Sequence, residues 1–166
     1  MEISKPASIP EYIAWLKKEQ GGFVARRAET YYSSVVGKMR SDFLVSDFWQ
    51  GLTDEIKTHE QAYLVQTGYN LLATPFAPDS VCIKPYSSFF LKSFRQNVLE
   101  NKNWPNEPSG GWIVPPLWYE QIHDILRTLL VAKYLDGVKF LVDKFAEYCA
   151  TLNVGAVRAL KKCLDS

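Results

Sequence analysis

Lys84, Ser88 and Lys92 stand four residues apart in "KPYSSFFLKSFR" (84–95), and Arg95 follows three beyond. Ser88, Lys92 and Arg95 at that interval share one face once the chain is helical, with Lys84 placed just before it. Pro85 makes the turn, and a helix opening near Tyr86 or Ser87 points its unpaired N–H groups toward an approaching anion. Phosphate binding is the chemistry these residue types could support. A helix end contributes only ~0.3–2 kcal/mol toward holding a negative charge, so the lysines and the arginine must carry such a site. The same residues would also serve as the solvated face opposite Phe90, Leu91, Phe94 and Val98, and spacing alone leaves both readings open.

A second group lies in "HDILRTLLVAKYLDGV", where Asp124 opens an apolar run and Arg127 sits inside it. In a strand Arg127 points with Ile125, Leu129 and Val131, and a guanidinium on a buried face is costly unless a carboxylate or phosphate meets it. A structural ion pair with Asp124 is one solution, three residues apart being one face if the segment is helical. Asp124 could instead hold Mg²⁺, which commonly takes one or two carboxylates together with phosphate oxygens.

The elements that must position these groups follow from periodicity. Ser8 and Glu11 form a capping box before "YIAWLKKEQ", which Gly21 and Gly22 would end. A second helix spans about Phe23 to Leu44 with Tyr31, Val35 and Met39 on one face. A third runs from Asp47 to Gln66 on a stripe of Phe48, Leu52, Ile56, His59 and Tyr63, with Gly68 as the left-handed stop. Ser80 to Lys84 suits a short strand, and "ILRTLLVAKY" reads as a strand covered on two sides, although a short buried helix has the same pattern. Asp136 is placed to cap a last helix whose stripe is Val138, Leu141, Val142, Phe145 and Cys149. Between the two motifs lie eighteen residues, "NKNWPNEPSGGWIVPPLW", with four prolines and two glycines: a long insertion or lid-like loop. Its Trp104, Trp112 and Trp118 could form an interaction surface or pin the loop to the core.

The chain has 166 residues and a formal net charge of +1, so it can bury one real core and has no global field to draw in nucleic acid or an anionic membrane. Cys82, Cys149 and Cys163 lack disulfide or zinc spacing, which leads us to expect reduced thiols and a cytoplasmic setting. The start, "MEISKPASIPEY", does not read as a secretory leader, and "QAYLVQTGYNLLATPFAP" is too polar and proline-broken for a membrane span. No G-x-S-x-G, H-E-x-x-H or Walker-type G-x-x-x-x-G-K occurs. The only histidines, His59 and His123, read as core or surface residues.

"IKPYSSFFLKSFR" followed by "DILRTLLVAKYLDGVKFL" resembles the first half of the synthetase domain of RelA/SpoT-type alarmone synthetases, which have the nucleotidyltransferase fold. In that family a strand ending in R-x-K-x-x-x-S-x-x-x-K binds ATP phosphates, and a later strand opens with a Mg²⁺-coordinating aspartate followed by an arginine. The resemblance implies that Lys84, Ser88 and Lys92 contact ATP phosphates, with Arg95 a weaker addition. It further implies that Asp124 is a metal ligand and that Arg127 supports the nucleotide. The reaction it implies is pyrophosphate transfer from ATP to the 3′-hydroxyl of GDP or GTP. Cys82 stands where the family has the first arginine.

The resemblance covers about residues 80 to 150. The family's tyrosine and histidine segment for the acceptor and its glutamate strand have no counterpart in this sequence. The expectation is therefore a C-terminally shortened member, arising by truncation or a frame change near Asn153, weak or inactive alone. An alternative is a non-catalytic nucleotide-binding or protein-interaction module. The expected fold class is α+β: a helix-rich region 1–79, a partial nucleotidyltransferase-like region 80–152 with a short, incomplete sheet, and a divergent tail 153–166. An incomplete sheet exposes an edge through which chains could self-associate.

Overall fold

The computed structural model describes residues 4–19, 23–114 and 118–152. The Gly21–Gly22 stop and the tail from 153, with Cys163, lie outside the described residues. The element order is α1 (Ile9–Glu19), α2 (Ala25–Leu44), α3 (Asp47–Thr67), β1 (Cys82–Ile83), α4 (Tyr86–Phe94), α5 (Trp118–Gln121), β2 (Leu126–Arg127) and α6 (Leu135–Thr151). A π-helical turn, Arg95–Leu99, extends α4. Among the described residues helices predominate and the one sheet is β1 against β2, antiparallel, an α+β composition. Among the described residues, no helix is long and apolar enough to cross a membrane.

The described residues form two compact units, one within 4–40 and 82–127 and the other within 41–81 and 128–152. Each draws on both sides of the 79/80 boundary read from the sequence.

In the first unit, α1 opens as its capping box requires. The Glu11 amide donates to Ser8 Oγ at 3.4 Å, and the Glu11 carboxylate accepts from the Ser8 hydroxyl at 3.0 Å and the Ala7 amide at 2.9 Å. Helix α2 buries Ala28, Tyr32 and Val36, while Tyr31 is 54% exposed. The stripe expected at Tyr31, Val35 and Met39 is thus one residue out of phase. Both sets recur every four residues, and the aromatic core selects the other: Tyr32 stacks on Phe89 at 5.1 Å, and Phe89 meets Trp118 at 4.3 Å.

The second unit closes around Ile56, Tyr63, Leu71, Leu72 and Leu141, from α3, the segment after it and α6. Ser46 caps α3 by accepting from the Trp49 amide, and Gly68 ends it at φ 77° with its amide donating to Leu64 O, as its sequence position implies. Asp136 does not cap α6. Tyr134 holds the cap position, and the Asp136 carboxylate, in the first turn, accepts from the Tyr63 hydroxyl at 2.8 Å.

The run expected as a strand covered on both sides is neither long nor covered on both. Only Leu126–Arg127 is regular strand, with an isolated antiparallel bridge further on between Leu72 and Ala132. Leu129 is 79% and Val131 47% exposed, whereas Leu130 and Ala132 pack on the second unit's core. One face is buried and the other is open.

Candidate anion site at Asp124

Strand β1 ends at Ile83, and the Lys84 amide donates to Ile125 O at 2.8 Å, which sets the two strands side by side just before Pro85 turns the chain into α4. The Tyr32 hydroxyl donates to Lys84 O at 2.8 Å. Burial first, and then the nearby Asp124 carboxylate, push Tyr32 up from its ordinary value, so it stays a neutral donor. Lys84 is therefore fixed on both sides of its own peptide unit, and it is only 5% exposed. Sequence gave no sign of Tyr32's part in this.

Three cations converge on Asp124, which lies two residues before β2. Lys84 Nζ donates to Oδ2 at 2.8 Å, Lys92 Nζ from α4 to Oδ1 at 2.9 Å, and Arg127 Nη2 from β2 to Oδ2 at 2.6 Å. Arg127 also donates through Nε to Asp124 O at 3.2 Å. The ion pair that the sequence suggested for a helical segment is made here without a helix. Arg127 is not buried, and its partner is the carboxylate at the mouth of the strand.

Partial burial pushes the Asp124 carboxyl up, but hydrogen bonds from Lys84, Lys92 and Arg127 outweigh it and hold the group well below the usual carboxylate range. Three positive groups against one carboxylate leave the cluster at +2. Two of them share a single oxygen, and one unit charge opposite another at ~4 Å interacts by about 4 kcal/mol at the effective dielectric of a protein surface. A single acid cannot offset the repulsion among three cations as well as an added anion would.

Two expected members stay outside. The Ser88 hydroxyl is exposed on the first turns of α4 and takes no hydrogen bond among the described residues. It is open to a ligand but is not tied into the cluster. Arg95 turns away and pairs with Glu100 at 3.0 Å, because the π-helical turn brings residues five apart together, shown by the Glu100 amide donating to Arg95 O at 2.8 Å. Cys82 is exposed and stands opposite Arg127 in the strand register.

Among the described residues, no group of three or more His, Cys, Asp or Glu side chains gathers that could hold a metal ion. The donor set at the cluster is one carboxylate. That fits Mg²⁺ only in the form in which phosphate oxygens and water complete the octahedron.

The proline-rich loop is stapled rather than free. Asn97, fully buried, donates through Nδ2 to Tyr12 Oη and Ile113 O and accepts at Oδ1 from the Ile113 amide, each at 2.8 Å. Asn101 Nδ2 donates to Asn97 O at 3.1 Å and Asn106 O at 2.8 Å. Trp104 and Trp112 pack on Trp15, and Trp118 is 1% exposed. The tryptophans pin the loop, as one of the two readings of them expected. A cleft of about 560 Å³ beside it is lined by Gln96, Lys102, Ser109 and Gln121 and does not include Lys84, Lys92, Asp124 or Arg127. Neither histidine is among the cluster's ion-pair partners: His59 Nε2 lies 3.2 Å from a Glu55 carboxylate oxygen, and His123, next to Asp124 in the chain, is exposed.

Compared with protein-family models, curated proteins and solved structures, the chain matches none.

Proposed function

We propose that the cluster binds the triphosphate tail of ATP together with Mg²⁺, and that the chain is a RelA/SpoT-like protein of guanosine tetraphosphate metabolism. The observation that carries this reading is the convergence of Lys84 just after β1, Lys92 on α4 and Arg127 on β2 on one carboxylate with two positive charges in excess. Phosphoryl transfer relies on positioning and on neutralising charge at phosphoryl oxygens, which is what fixed ammonium and guanidinium groups supply. In this reading Lys84 and Lys92 neutralise phosphate oxygens, and Arg127 adds a planar donor that can span two of them. Ser88 offers a hydroxyl from the start of α4, and Asp124 is the metal ligand. Mg²⁺ when bound would neutralise and orient the phosphates.

The implied reaction is transfer of pyrophosphate from ATP to the 3′-hydroxyl of GDP or GTP. No described residue is assigned to the acceptor. Asp124 is the one carboxylate that the cluster's cations touch among the described residues, which leaves no second acid to act as base. Transfer by this chain alone is therefore expected to be weak or absent, and labelled ATP with GDP or GTP on thin-layer plates measures it. Binding is tested by calorimetric titration with Mg-ATP. The Lys84→Ala, Lys92→Ala double variant should lose binding, and equal binding by the double variant and the unaltered chain would remove the site assignment.

Self-association through the sheet edge is a second reading with its own observation. Ala73 N donates to Val131 O at 2.7 Å and Lys133 N to Leu71 O at 2.9 Å, so Val131 and Lys133 face the paired side. Ala132, between them, turns its backbone groups the other way, where it makes no hydrogen bond among the described residues. Light scattering should find oligomers that Leu129→Lys disperses. A monomer at every concentration would sink the idea.

A further inference from the structure

Asp124 touches all three cations of the cluster, and both of its oxygens are committed to them. A phosphate would use the same ammonium and guanidinium donors, so carboxylate and ligand compete for them. We infer that Asp124 is a latch on the anion site: its carboxylate occupies the three cations as an internal substitute for phosphate, and a polyphosphate must displace it to bind. This rests on the reading of the cluster as a phosphate site and adds its regulation. A divalent cation arriving with the phosphates does more than screen them, because it draws off the carboxylate that blocks their donors.

The burial of Lys84 makes the exchange obligatory rather than optional. Its side chain is 6% exposed, so its ammonium cannot turn to bulk water and needs an anionic partner, Asp124 or the ligand. Lys92 and Arg127, at 24% and 52%, can follow either partner. The carboxylate itself is 41% exposed, so it can swing outward without unpacking the core.

The test uses inorganic triphosphate in excess EDTA, titrated calorimetrically into the unaltered chain, Asp124→Asn and Asp124→Ser, with Mg-ATP titrated into the unaltered chain in parallel. Both neutral variants should bind metal-free triphosphate tighter than the unaltered chain by about tenfold or more, the size of one regained charge-assisted contact. Because Lys84 is left without a counter-charge, both should also melt lower, and triphosphate should raise their melting temperature more than it raises that of the unaltered chain. If the unaltered chain binds Mg-ATP but the variants gain nothing in EDTA, the latch is wrong and the phosphate site stands. If no chain binds any of these anions, the site reading fails and the latch fails with it. Variants that stay unfolded even with triphosphate would show that phosphate cannot replace the carboxylate, which also overturns the latch.

Discussion

Replacing Asn97 by alanine probes the joint that holds the proline-rich loop to α4 and α1. The side chain makes three hydrogen bonds of 2.8 Å in a fully buried position, to Tyr12 Oη, Ile113 O and the Ile113 amide. Tyr12 keeps a partner, since its hydroxyl also reaches Ser93 Oγ at 3.3 Å. Ile113, 6% exposed, loses the partners of both its amide and its carbonyl. An orphaned buried group costs about 1–3 kcal/mol, so two of them predict roughly 2–6 kcal/mol, with water entering the vacated space pulling toward the lower end. Out of a total of ~5–15 kcal/mol for an ordinary domain, that is a large fraction. Urea unfolding gives the loss, and limited proteolysis locates it, because Trp104 and Trp112 should leave Trp15 and expose the chain near 101–114 to cleavage. A change within about 0.5 kcal/mol, the range of ordinary surface substitutions, together with an unchanged cleavage pattern would refute the assignment of Asn97 as the joint.

Gly51→Ala should destabilise despite alanine's ~1 kcal/mol advantage in a helix, because the new methyl group meets the Tyr148 hydroxyl. Adding Tyr148→Phe should recover much of that loss in urea unfolding, and additive effects of the two changes would count against the contact. Gly68→Ala should cost about 1–2 kcal/mol in the same assay, the strain of a left-handed residue with a Cβ, and a neutral result would contradict φ 77° there. Asp124 is held below its ordinary value of 3.8, so its contribution is complete above pH ~4 and is lost as acid protonates it on the way down to the lowered value. Unfolding midpoints of Asp124→Asn should therefore fall less between pH 5 and pH 2 than those of the unaltered chain, by an amount kept small by the solvent exposure of the carboxylate. Equal slopes would mean that the three cations do not hold it.

What the sequence revealed depended on where each residue's partner lies. The caps at Ser8 and Gly68 were legible because each works within one helical turn. Lys84 and Lys92 were legible as a pair because two turns of α4 separate them, and Asp124 with Arg127 because i,i+3 spacing suggested an ion pair. That the two pairs are one cluster was not legible from spacing, since 32 and 40 residues separate the lysines from the acid. Only the strand pairing joins them. That Arg95 would turn to Glu100 was not legible because the π-helical turn, which brings that acid within reach, leaves no mark in the spacing, and the α2 stripe slipped because equally spaced sets differ only in what they meet. Leu129 and Val131 were assigned to a buried face because an apolar run cannot announce whether anything covers it.

Three other ion pairs among the described residues differ from the cluster in charge balance. Lys57 meets Asp54, Lys144 meets Glu147, and Arg95 meets Glu100, one cation to one acid at exposed positions where such pairs contribute little to stability. At Asp124 the ratio is three to one, and one of the three is a buried lysine. Stability alone does not favour that arrangement. A single pair would satisfy the carboxylate, each further cation adds repulsion, and an apolar side chain in place of Lys84 would avoid desolvating an ammonium. An excess of fixed positive charge that the fold does not need is what an incoming anion with several oxygens does need, and a polyphosphate has the charge and the spread of acceptors to meet all three groups at once.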